Sequence, residues 1–127
     1  MTYAYIVAGA VVGAPLRYFL GRVVQEATGP GFPWGTLAVN VVGCLAIGFL
    51  LSLGEQRDYL SREARLLLVT GFLGSFTTFS AFGWETYDLF KAGDAARAGG
   101  NVVLSVALGL GAVWLGAALA RIPHFGA

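Results

Sequence analysis

Charged residues fall in clusters along this chain, and long apolar stretches separate the clusters. Trp34 to Leu53, Leu66 to Trp84 and Ala98 to Ala120 carry no charged residue. Each is close to the roughly 20 residues that a helix needs to cross a hydrocarbon core. The first stretch, Tyr3 to about Val24, is apolar to Leu16 and then holds Arg17 and Arg22, with Pro15 placed to kink it. It reads either as a full span whose second half nears the interface or faces protein, or as an interfacial helix after a short apolar anchor. The pattern predicts four helices over 3–24, 34–53, 62–90 and 98–120, in one transmembrane domain.

The connections are short. Gln25 to Pro33 carries Gly and Pro breaks, and Trp34 follows as an interfacial anchor. Gly54 to Arg65 is charged, with Ser61 as the expected N-cap of the third helix and Glu63 in its first turn. Lys91 to Arg97 joins the last two spans. None of these loops has room for a soluble domain.

Composition agrees. Of the 127 residues, 57% are hydrophobic and 12% charged, with a mean hydropathy of +0.72. A soluble domain carries about 25% charged residues. The net charge of +1 gives no reason to expect nucleic acid as a partner. The single cysteine, Cys44, excludes an intrachain disulfide and a cysteine-based metal site. His124 is expected to be a solvated tail residue. A signal peptide is not expected, because Arg17 and Arg22 follow the first apolar run rather than precede it.

With four spans, both termini and the middle loop share one side. That side holds Arg57, Arg62, Arg65 and Arg121, and the other holds Arg17, Arg22, Lys91 and Arg97. An imbalance of such charges normally sets orientation. Here there is none, so either chains insert both ways or weaker biases choose one topology. Small residues recur at helical spacing: Gly9 and Gly13, Ala112, Gly116 and Ala120, Ser105 and Gly109. They allow helices to approach closely, within one bundle or between chains. If insertion runs both ways, an antiparallel two-fold homodimer is the natural closed assembly.

The polar residues inside the spans carry the chemistry. Asn40, with Thr36 a turn before and Gly43 nearly a turn after, makes a small polar face. A buried amide there either bridges helices or lines a wet path. The stretch "GSFTTFSAF", Gly74 to Phe82, places Ser75, Thr77, Thr78 and Ser80 among three phenylalanines. Either the helix breaks there and coordinates an ion, or it continues with its hydroxyls bonded to the preceding turn. Phe79, Phe82 and Glu85 share one helical strip. The rings either pack or turn their positive edges to a small anion, and Glu85 by itself reads as a solvated helix end. Ser105 by itself reads as satisfied within its own helix.

Three segments carry a resemblance: "GAPLRYFLG" (Gly13 to Gly21), "GTLAVNVVGCLAIG" (Gly35 to Gly48) and "RLLLVTGFLGSFTTFSAF" (Arg65 to Phe82). Together they resemble the Fluc family of fluoride channels, also called CrcB. The resemblance implies an all-α integral membrane protein of four transmembrane helices, the third broken at mid-membrane. It implies an antiparallel, dual-topology homodimer with two fluoride pores in a bacterial-type cell membrane. It further implies a structural Na+ on the two-fold axis, held by the backbone carbonyls of Gly74 and Thr77. Phe79 and Phe82 correspond to rings whose edges face the pore, and Asn40 to the pore asparagine. Thr78 and Ser80 belong to the same hydroxyl motif, Ser105 to a polar track on the fourth helix, Glu85 to a pore-proximal glutamate and Arg17 to a vestibule arginine. Asn101 stands where some members have Tyr and Gly109 where some have Ser, which implies a shorter or wetter track.

The function expected is passive fluoride export, with fluoride, lipid and a second copy of the chain as partners and no enzymatic activity. A small multidrug-type proton-coupled transporter shares the size and span count. It needs a membrane-embedded carboxylate on the first helix, where this chain has none before Glu26. A non-transporting membrane subunit would leave Asn40 and the hydroxyl-aromatic cluster without a purpose.

Overall fold

In the computed structural model, residues 1–123 are described, Arg57 by its backbone alone; His124 lies outside them. The described chain is helical. Helix α1 covers Thr2–Thr28, α2 Trp34–Arg57, α3 Arg62–Arg65, a π-helical segment Leu66–Leu73, α4 Gly74–Phe76, α5 Phe79–Lys91 and α6 Ala95–Ala120. Four stretches are long and apolar enough to span a bilayer: Thr2–Thr28, Trp34–Gln56, Arg62–Lys91 and Ala95–Ala120. The chain is therefore a multi-pass, all-α membrane protein, and its third span is bent and broken rather than straight.

The first span runs past Arg17 and Arg22 to Thr28, so its full-span reading holds. It continues through Pro15, which has no N–H to offer the Val11 carbonyl. Local chemistry sets the ends. Gln25 Nε2 donates to the Gly29 and Phe32 carbonyls at 2.6 and 2.9 Å, and its Oε1 accepts from the Gly35 amide at 3.0 Å. One side chain thus ties the first loop to both flanking helices, where Gly29 takes a φ of 89° that disfavours other residues. The Ser61 hydroxyl caps the third span by accepting from the Ala64 amide at 3.1 Å, with Glu63 in the first turn. Asp94 caps α6 in the same way, from the Arg97 amide at 3.0 Å.

Backbone contact at small residues holds the bundle. Helices α2 and α6 pack along their length, and α1 lies against the third span. A Cβ at Gly48 would overlap the Val113 carbonyl, and one at Gly116 the Leu45 carbonyl. A Cβ at Gly9 would overlap the Leu67 carbonyl, while Gly71 packs on Ile6 in return. The small-residue stripes are thus used within the chain, as close approach in lipid requires. The buried apolar core is small: Val39, Leu73 and Phe76 cluster together, and Leu37 and, along α6, Ala98, Ala112 and Ala120 are also buried. Val7, Val11, Leu110, Trp114 and many other large apolar side chains are exposed. In water they would be a liability, whereas in lipid the solvent is as apolar as they are.

Candidate functional site

The break in the third span is built from side chains that divert its backbone bonds. Thr77 is extended, with φ −86° and ψ 157°, as is Thr78, with φ −147° and ψ 113°. The Thr77 amide and hydroxyl both donate to the Leu73 carbonyl, each at 3.0 Å. Gly43 makes room for this kink, since a Cβ there would overlap the Thr77 methyl.

Asn40 then takes the next peptide. Its Oδ1 accepts from the Thr78 amide at 2.8 Å and its Nδ2 donates to the Thr78 carbonyl at 3.0 Å. The sequence left two readings of Asn40: the bridge is present, from α2 to the break, and Asn40 also stands at the wall of a cavity. In a regular helix the Thr78 amide would serve the Gly74 carbonyl, and the Ala81 amide the Thr77 carbonyl. Here the first goes to Asn40 and the second to the Thr78 hydroxyl at 3.1 Å, which N-caps α5. The carbonyls of Gly74 and Thr77 are thereby released from the helical ladder.

Two cavities meet at this break. The first, about 380 Å³, is lined by Asn40, Thr77, Thr78, Phe79, Phe82 and Ser105, with Gly74 at its wall. The second, about 300 Å³, is lined by Arg17, Thr36 and Glu85 among others. Thr78 belongs to both, so the clamped peptide is the partition between them. Ser80 lines neither, and nor do Ser75 and Asn101. Ser80 is exposed and sits 3.3 Å from the Thr78 hydroxyl.

The aromatic strip is exposed at one end and partly covered at the other. Phe79 is 83% exposed, while Phe82 is half-buried, and their ring centroids lie 5.5 Å apart at 46°. Glu85 is not the solvated end its position alone suggested. It is partly buried, and one of its oxygens accepts from the Thr36 hydroxyl at 2.7 Å. Its other oxygen, and Arg17 Nε, are shielded and unpartnered. They face the same cavity without forming an ion pair with each other.

The polar track on α6 also differs from expectation. Asn101 is 2% exposed, so it does not make the track wetter. Its Nδ2 donates to the Thr86 hydroxyl at 2.9 Å, and its Oδ1 accepts from Ser105 at 3.3 Å. Ser105 is therefore satisfied within its own helix, as expected, through the Asn101 side chain one turn earlier. Sequence reasoning gave Thr86 no part, although a threonine inside an apolar span is a signal in itself. Cys44 lines the first cavity opposite Gly109, whose Cβ would stand 3.5 Å from its sulfur.

The arrangement places an amide, hydroxyls and aromatic rings on the wall of one open cavity and an arginine in the adjoining one. Such groups can replace the hydration of a small anion, and among the described residues no cluster of His, Cys, Asp and Glu could hold a metal ion. Comparison with known proteins gives the same direction. A family model described as "CrcB-like protein, Camphor Resistance (CrcB)" matches residues 4–117. A Rhizobium etli protein named "Fluoride-specific ion channel FluC" is 49% identical over 122 residues, covering 95% of this chain and 98% of the relative. Proteins of the same name from Roseiflexus sp. and Chloroflexus aurantiacus are 49% and 47% identical, covering 96% and 91% of this chain and 98% and 92% of theirs.

Proposed function

The chain belongs to the CrcB family, and from that premise we propose that it is a passive, fluoride-selective ion channel that lets cytoplasmic fluoride leave the cell. The observation that carries this reading is the Asn40 clamp on Thr78, which sets an opened helix between two polar chambers. Fluoride is small and holds its water tightly, so a conducting path must offer donors in exchange. Asn40, Thr78 and the positive ring edges of Phe79 and Phe82 supply them on one side of the partition. Arg17 draws the anion into the other chamber, where Thr36 holds one oxygen of the Glu85 carboxylate.

The functional unit is a homodimer of two oppositely inserted chains with two pores, in a bacterial-type cell membrane. Physical support comes from the exposure of the break. Gly74 and Phe79 lie on the surface of the single chain. Backbone carbonyls released from a helix are not tolerated against lipid, so protein must cover them. A second copy related by a two-fold axis would bring the same carbonyls together, and the balanced arginines permit opposed insertion.

The residues present also fit a Na+ ion there. Gly74 and Thr77 offer neutral carbonyl oxygens, the donor type hard cations take, freed by the diverted amides described above. A cation so held supplies a fixed positive charge at the dimer centre. The residues of this chain do the rest: Asn40 holds the break open, Gly43 admits Thr77, and Phe79 and Phe82 flank the route.

Purified protein in liposomes loaded with fluoride tests the function. A fluoride electrode should record rapid efflux that needs no pH gradient, and a chloride electrode almost none. Fluoride release that requires a proton gradient, or equal release of both halides, would overturn the reading.

A further inference from the structure

We propose that Asn101 is a positioning residue that turns the Ser105 hydroxyl proton away from the conduction cavity, so that Ser105 meets the passing ion with its oxygen lone pairs. This rests on the fluoride-channel reading and concerns how tightly the route holds its ion.

A chain of hydrogen bonds fixes the direction of each proton. The Thr86 hydroxyl lies 2.8 Å from the Phe82 carbonyl. A carbonyl can only accept, so Thr86 spends its single proton there and can only accept from elsewhere. Its other neighbour is the Asn101 amide at 2.9 Å, which must therefore present Nδ2 to Thr86. That orientation leaves Oδ1 toward Ser105, 3.3 Å away. Amide oxygen only accepts, so Ser105 donates to Asn101, and its one proton is committed. Asn101 is 2% exposed, so bulk solvent does not reach it.

Ser105 nevertheless lines the cavity together with Asn40, Phe79 and Phe82. With its proton turned back along α6, it offers an anion no donor. The consequence is a deliberately weak wall. An ion gathered by Asn40 and the ring edges is not gripped again at Ser105, and weak sites are what exit requires. The Phe82 carbonyl at the start of the chain belongs to a pore-lining residue, so the same bonds also tie the aromatic strip on α5 to α6.

Fluoride current measured against fluoride concentration in planar bilayers reads the effect. Asn101→Leu keeps the branching at Cγ and frees the Ser105 proton to face the ion. The half-saturating fluoride concentration should fall about tenfold, the factor a hydrogen bond to a charged group can command. Ser105→Ala in the same chain should abolish that shift, because nothing remains to be released. An unchanged half-saturation in Asn101→Leu, or a shift that persists in the double variant, would overturn the proposal.

A second measurement does not depend on Asn101→Leu folding or on conduction. The chain has two asparagines, Asn40 and Asn101, so isotope-labelled asparagine gives two side-chain amide signals. Ser105→Ala should move the Asn101 signal and leave that of Asn40 in place. An unmoved Asn101 signal would show that Ser105 does not donate to it and would sink the proposal. A wild-type protein that passes no fluoride would instead fail the channel reading, with the amide spectrum still reporting whether Ser105 bonds to Asn101.

Discussion

Asn40→Ala is the sharpest perturbation of the break. The wild-type amide makes two bonds to one peptide, from the Thr78 N–H at 2.8 Å and to its carbonyl at 3.0 Å. Each contributes about 1 kcal/mol net, and a shielded N–H left without any partner costs a further ~1–3 kcal/mol. Cavity water recovers part of this, because Asn40 and Thr78 are only half-buried. A loss of roughly 3 kcal/mol in favour of other backbone arrangements corresponds to about 10²-fold in population. The helix then closes onto Gly74 or the peptide wanders, and either removes both the partition and the donor. Fluoride efflux from liposomes should drop on the order of 10²-fold. Gel filtration checks that the variant still assembles as the wild type does. Efflux within about threefold of wild type would show that the clamp neither shapes the break nor serves the ion.

Other perturbations separate packing from conduction. Phe79→Ile or Phe82→Ile should impair fluoride permeation and leave assembly intact by gel filtration; wild-type rates in both would reduce the rings to packing. Gly116→Val drives a side chain into the Leu45 carbonyl and the Phe49 amide. Overpacking costs typically 1–3 kcal/mol in soluble cores, so a destabilisation of about that size or more is expected as a lower melting temperature in detergent. Adding several lysines to the middle loop should force one orientation and lower the yield of active channels, read by accessibility labelling in cells; unchanged yield with uniform orientation would refute opposed insertion.

The four spans were legible because lipid accepts only uninterrupted apolar length, and that shows directly in the positions of the charges. The helix start at Ser61 was legible for the same reason of locality, since its hydroxyl and the Ala64 amide are neighbours in the chain. The hydroxyl run at Thr77 and Thr78 raised the possibility of a break without deciding it. What decides it is Asn40, a residue on another helix, and residue periodicity cannot name a partner across the bundle. Glu85 was misjudged from its position alone for the same reason: Thr36, which holds it, lies on α2. Asn101 suggested a shorter or wetter track because Thr86, which takes its amide, lies on α5 and meets it only in the fold; Ser105, one turn along α6, was within reach of a local reading. The small-residue stripes were read correctly as close-contact surfaces, but their spacing gave no sign that Gly9 and Gly116 pack within the chain.

The most direct test of a fluoride route at the clamped break is a bi-ionic current measurement on the purified protein in a planar bilayer, with fluoride on one side and chloride on the other. The current should reverse near the potential that fluoride alone dictates and should be unaffected by a pH difference across the membrane. A reversal set by chloride, or by the proton gradient, would contradict a passive fluoride channel.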